Sequence, residues 1–225
     1  MKLSQQQVQF IDDNLRNSVP QFQSGIVESK DPSVMSVLFW NPLCNAEISL
    51  HCPYHAGEKL TDTGIWSHMR SKWPPRRIYH LGENVLLVSS LYSCTVCGKD
   101  IENSTHTAHD APLLSQLPNK YSPPFYLFKK SGVTRLAYEF IINACLAGTS
   151  FLEIVASFKR MHGFHVAIHG KGDEEVFNWK HQSPSNKLCE DIFLYDFDRR
   201  LKFYEDEMKQ IQPKEISIDH TFNTR

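Results

Sequence analysis

The sequence lacks long apolar runs. Its longest, such as Val85 to Val88, fall far short of the roughly 20 residues that cross a bilayer, which excludes a transmembrane helix. The N-terminus, MKLSQQQVQFIDDNLRN, has one lysine and then polar residues where a secretion signal needs an apolar core, so an intracellular, non-secreted protein is expected. A basic excess is also missing: 24 Lys and Arg against 25 Asp and Glu give a net charge of −1. A uniformly basic nucleic-acid binder is therefore excluded, and any such function must rest on local patches. Neither a Gly-rich phosphate loop, a nucleophile elbow nor a zinc-protease motif occurs. What is there is 225 residues with 41% hydrophobic and 12% aromatic content, near the globular average and enough to bury a core without staples. In a reducing compartment the six cysteines are expected to be ligands or buried thiols, not disulfides.

The patterning predicts an α+β protein. Val8, Ile11 and Leu15 share one helical face, so residues 1–35 read as a short helix and a loop. Residues 34–50, VMSVLFWNPLCNAEISL, read as strand, turn and strand around Asn41-Pro42. The run from Val85 to Ser93 is expected to be the central strand of a small zinc-ribbon-like antiparallel sheet over 36–110. Pro112, Pro118, Pro123 and Pro124 make 111–130 a connector. From 131 to 182, Leu136, Phe140, Ala144 and Ala147 have helical spacing, Gly148 marks a turn, and Ser150 with Glu153 fits a capping box for a second helix ending by Gly163. This two-helix unit resembles a helix-turn-helix, although a plain hairpin would read the same. His165 to Ile168 reads as a short strand and 170–175 as a turn. Ser183-Pro184 should cap a long charged helix within 183–225, ended by Pro213 and followed by a strand over 215–222.

The strongest chemical signal is a pair of chelating pairs. Cys52-Pro-Tyr-His55 and Cys94-Thr-Val-Cys97 each place two residues between ligands, and Gly98 follows the second pair. Two such knuckles complete a tetrahedral Cys3His site for one Zn²⁺, structural because no position stays open for water. His51 and Cys44 lie close enough in sequence to replace His55 as the fourth ligand, whereas Cys145 and Cys189 fall on apolar helical positions.

Two basic patches stand out against the near-neutral total. Arg70, Lys72, Arg76 and Arg77 lie in a stretch without a carboxylate from Thr63 to Gly82, interleaved with Trp66, Trp73 and Tyr79. The second patch holds Lys120, Lys129, Lys130, Arg135, Lys159 and Arg160 against only Glu139 and Glu153. Both can contact the phosphates of double-stranded DNA, although a solvated loop accounts equally for the first. Residues 190–215 carry eight acidic and five basic side chains, so the long helix is not expected to lie on DNA.

The order of these parts resembles one family. Phe39-Trp40-Asn41-Pro42-Leu43, the Cys52 knuckle, Arg76-Arg77-Ile78-Tyr79, the Val85 to Tyr92 strand, the second knuckle and Lys130-Ser131-Gly132-Val133 are similar to the zinc-containing region ahead of DDE-type transposase domains in Mutator-like and KDZ-like eukaryotic elements. Ile216 to Phe222 resembles the first strand of their RNase H-like core, with Asp219 as the first catalytic carboxylate. The resemblance implies recognition of transposon-end-like double-stranded DNA by the zinc and hairpin modules. A nuclear protein, or otherwise a cytoplasmic one, without membrane contact is expected, with a homodimer as its candidate assembly. With Asp219 alone, the two-metal site is incomplete, which implies a truncated or domesticated, non-catalytic derivative. A zinc-stabilised protein-interaction module and a fragment of an active transposase are the alternatives.

Overall fold

The computed structural model describes residues 3–16, 24–65, 76–97, 105–129, 131–169 and 174–210. Arg70, Lys72, Gly98, Lys130, Asp219 and the strand expected at 215–222 lie outside the described residues.

The chain is α+β. Strands β1 (Ser24–Val27), β2 (Val37–Trp40), β3 (Thr61–Ile65), β4 (Arg76–Tyr79), β5 (Val85–Ser93), β6 (Thr105–Thr107), β7 (Phe125–Leu127) and β8 (Gly132–Thr134) join one sheet. Its main path runs β1-β2-β5-β4-β8-β7. The first half of β5 pairs with β2 and β4, and its last residues pair instead with β3 and β6. The helices are α1 (Gln5–Ile11), α2 (Ala111–Leu114), α3 (Arg135–Leu146), α4 (Phe151–His169), α5 (Glu174–His181) and α6 (Asn186–Gln210).

Strand alternation explains why Val85 to Val88 is apolar without a break. Leu38, Trp40, Val85 and Leu87 enter one core cluster, while Val37, Phe39, Leu86 and Val88 enter another with Ile11, Val176 and Trp179. A sheet covered on both faces needs apolar residues at consecutive positions. It also corrects the expected antiparallel sheet, because β2 pairs with β5, and β4 with β8, in parallel. Parallel neighbours require long crossovers, and residues 41–84 and 80–131 supply them. The segment expected to be a bare connector contributes α2 and the edge strand β7, with Pro123 and Pro124 placed just before that strand.

Helix boundaries follow local chemistry where side chains decide them. Ser150 Oγ accepts from Glu153 N at 3.3 Å, and the Glu153 carboxylate accepts from Ser150 N at 3.1 Å, which completes the capping box. Gly148, at φ 81°, makes the turn between α3 and α4. Gly163 does not stop α4, which continues to His169 through the segment expected to be a strand. One helical glycine costs about 1 kcal/mol, which the burial of Ile154, Phe158 and His162 on the same helix outweighs. The expected turn at 170–175 gives way, from Glu174, to α5. Ser185 rather than Ser183 caps α6, its hydroxyl accepting from Leu188 N at 3.1 Å. After β2 the chain makes a 3₁₀ turn at Pro42–Cys44, and the second strand expected before Leu50 is replaced by an isolated bridge between His51 and Lys59.

Burial also gives the fold an acid sensitivity. His109, with its Nδ1 2.7 Å from Ser89 Oγ, has its pKa pushed down to about 4 by desolvation, with Asp110 opposing and Arg76 reinforcing. The unfolded chain takes up this proton near pH 6.5, whereas the fold resists it until about pH 4. Stability present above about pH 6.5 is therefore lost as the pH falls toward about 4, by at most about 3 kcal/mol. Urea midpoints measured from pH 7 to 4.5 should fall less steeply in His109→Gln than in the wild type; equal slopes would assign the acid loss elsewhere.

Candidate metal centre and basic groove

Residues 50–60 fold back on themselves. Leu60 N donates to Leu50 O at 2.9 Å and Cys52 N to Glu58 O at 2.8 Å, while Gly57 reverses the loop at φ 82°. This loop presents Cys52 and His55. Cys94 follows the end of β5, and the turn after it returns Cys97 to the same point. Thr95 Oγ1 donates to the Glu58 carboxylate at 2.6 Å and ties the two loops together.

One ligand atom from each of Cys52, His55, Cys94 and Cys97 lies within 4.8 Å of the other three, so the group can hold a metal ion. His55 Nδ1 is 3.5, 3.7 and 3.3 Å from the sulfurs of Cys52, Cys94 and Cys97, and Cys52 Sγ is 3.5 Å from Cys97 Sγ. Bonds of roughly 2.0–2.3 Å to a tetrahedral ion separate ligands by roughly 3.3–3.8 Å. The backbone N–H of Cys97, then that of Val96, stabilises the Cys94 thiolate and lowers its pKa to about 7. Burial and the adjoining sulfurs push Cys97 up to about 12, and a bound divalent cation would hold all three sulfurs as thiolates.

Neither His51 nor Cys44 belongs to this group. The His51 backbone is clamped by Gln116, whose Oε1 accepts from His51 N at 2.8 Å and whose Nε2 donates to His51 O at 3.0 Å. Cys189 is fully buried and its thiol is pushed up to about 12 by desolvation, and Cys145 packs against the same helical cluster. None of the six cysteines, all of them among the described residues, is in a disulfide.

Sequence spacing gives no sign of one further residue at the site, His106. It is buried on β6 with Nε2 3.7 Å from both Cys52 Sγ and Cys97 Sγ, its ring tilted against Tyr54. Burial lowers its pKa, and once a bound metal deprotonates the sulfurs an Nε2–H here can donate to both thiolates and spread their charge. The alternating Thr105-His106-Thr107 reads only as a strand. His106→Ala should weaken metal affinity by roughly 10–100-fold; an unchanged affinity in chelator competition would reduce His106 to packing.

The basic side chains divide among three environments. A groove of about 900 Å³ is lined by Arg76, Tyr126, Lys129, Arg135, Tyr195 and Arg199, together with the carboxylates Asp110 and Glu139. Asp110 is engaged locally, accepting from Thr107 N at 2.8 Å. Tyr126 stacks on Tyr138 at 4.1 Å between centroids, and Tyr138 donates to the buried Asp196 at 2.7 Å, which fixes α6 beside the groove. Arg77 is elsewhere: its guanidinium lies 4.7 Å over the Trp179 ring and donates to Gln182. Lys159 and Arg160 are exposed on α4, outside the groove lining.

No protein-family model, curated protein or solved structure matches the chain. Among the described residues, no helix is long and apolar enough to cross a membrane.

Proposed function

We propose that the chain is a non-catalytic, zinc-stabilised DNA-binding module. Three thiolates and an imidazole from the chain leave no coordination position for water, which suits structural Zn²⁺. The observation that carries the DNA assignment is the groove, where Arg76, Lys129, Arg135 and Arg199 outnumber Asp110 and Glu139 beside aromatic walls. Such a surface suits a phosphate backbone, with specificity left to neighbouring elements. α3 and α4 would act as the helix-turn-helix-like pair, with Lys159 and Arg160 on the helix that reaches duplex DNA. Descent from a DDE-type transposase and a nuclear location belong to the same proposal.

The test is fluorescence anisotropy of a labelled duplex across a salt series. Binding that weakens linearly in log salt supports the reading, and no binding at low salt overturns it. A specific observation favours a second reading, a protein-interaction module: Leu194, Phe197, Leu201 and Tyr204 recur at helical spacing on α6 and are all exposed. That stripe is also the face on which a homodimer would form.

A further inference from the structure

A second cluster of metal-ligating side chains sits where the β4–β5 turn, α4 and α5 meet. Glu83 in the turn, His165 on α4 and His181 at the end of α5 each offer one ligand atom, and these three atoms lie within 4.8 Å of one another. The three residues come from separate elements, held together by groups that do not themselves belong to the cluster. Asn84 N donates to Lys180 O at 2.7 Å, and Asn84 Nδ2 donates to the carbonyls of Trp179 and Gln182 at 2.9 and 2.7 Å, which fixes the end of α5 to the turn. His162, buried, bridges the same elements, with Nδ1 3.0 Å from His181 O and Nε2 3.2 Å from His80 O.

Glu83 and His181 each keep one side-chain polar atom outside the hydrogen-bond network. Glu83 is 7% exposed; its Oε1 accepts from Ser36 Oγ, but its Oε2 accepts no hydrogen bond. The buried His181 Nδ1 also has no hydrogen-bond partner. Lys180 Nζ, 3.3 Å from Glu83 Oε2 and almost fully buried, supplies a positive charge to this carboxylate. His165 Nδ1 is 3.8 Å from the same oxygen. A cleft of about 600 Å³ reaches Glu83, His165 and Lys180 from solvent.

We propose that Glu83, His165 and His181 form a second metal site, for a borderline divalent transition ion such as Zn²⁺, Co²⁺ or Fe²⁺, with its remaining coordination position facing the cleft. Two imidazoles and one carboxylate select such ions over Mg²⁺ and Ca²⁺, which prefer oxygen throughout. Three protein ligands with an open position distinguish this site from the closed cluster at Cys52. Lys180 is the competitor. In the metal-free site its ammonium neutralises Glu83, and a divalent ion takes over that role as Lys180 swings into the cleft that it lines.

The experiment uses the full chain with its Cys3His site already filled by Zn²⁺, titrated with Co²⁺ and followed by absorption and equilibrium dialysis. One further equivalent should bind with weak d–d bands and without thiolate-to-cobalt charge transfer, which separates it from any exchange at the cysteines. Glu83→Gln and His165→Gln should each lose this equivalent, and Lys180→Met should tighten it roughly tenfold by removing the competing charge. Near-UV circular dichroism identifies any variant that fails to fold, and the milder His165→Gln then decides. Absence of a second equivalent in both wild type and Lys180→Met overturns the site, as does its full retention in folded Glu83→Gln and His165→Gln. The outcome is independent of DNA binding.

Discussion

Replacing Cys94 by Ser is expected to abolish stoichiometric zinc and to dissolve the part of the sheet built around it. Structural zinc contributes roughly 10–16 kcal/mol to small metal-folded units, which matches or exceeds the roughly 5–15 kcal/mol that holds a whole domain together. Cys52, Cys94 and Cys97 are themselves members of the core cluster that includes Leu50, Leu60, Val85 and Tyr92, so without the ion the remaining thiols would sit inside apolar packing with nothing to hold the two ligand loops together. The last residues of β5, and β3 and β6 paired to them, should lose order first. A separate cluster around Ile141, Ile142, Ile154, Phe158 and Ile192 contains none of the four ligands and should survive. Hydrogen exchange is therefore expected to lose protection at Tyr92 and His106 while keeping it at Ile141. Full zinc content in Cys94→Ser by elemental analysis would overturn the ligand assignment; Cys145→Ser should leave zinc unchanged.

The parts legible in the sequence were those written locally. The two chelating pairs need only four consecutive residues each, and the capping box at Ser150 and Glu153 is equally short-ranged. β5 was legible as the central strand because its first residues, Val85 to Val88, are apolar and buried without a break. The parallel pairings were not, since apolar runs carry no direction and the partners lie across long crossovers. Charge sums carry no information about faces. Arg199 sits in a segment of net negative charge yet lines the basic groove, because packing decides which face of a helix meets its neighbours and a sum averages over all faces. His106 stands outside either chelating pair, nine residues after Cys97, and the Glu83 cluster joins residues distant in sequence, so the short ligand spacing announced neither.

The neighbouring arginines of β4 should separate cleanly in DNA binding, although the sequence makes them look equivalent. Successive side chains on a strand point to opposite faces. Arg76 lines the groove with Arg135 and Arg199, whereas Arg77 is committed to the Trp179 ring and Gln182. The double change Arg135→Ala and Arg199→Ala should lower the slope of log affinity against log salt by about 1.8, at roughly 0.9 for each phosphate no longer neutralised. It should weaken all duplexes alike, because interactions with phosphate carry no sequence information. Arg77→Ala should leave that slope unchanged and instead lower thermal stability, since the stacked cation contributes roughly 0.5–2 kcal/mol to its own fold. Lys159→Ala with Arg160→Ala tests α4 independently: a change in preference among duplexes would place that helix in a groove of the DNA, and an unchanged preference would leave the basic groove as the only DNA-binding surface. If Arg77→Ala alone lowers the salt slope while the groove variant does not, the DNA lies on the opposite face of β4 and the groove assignment fails.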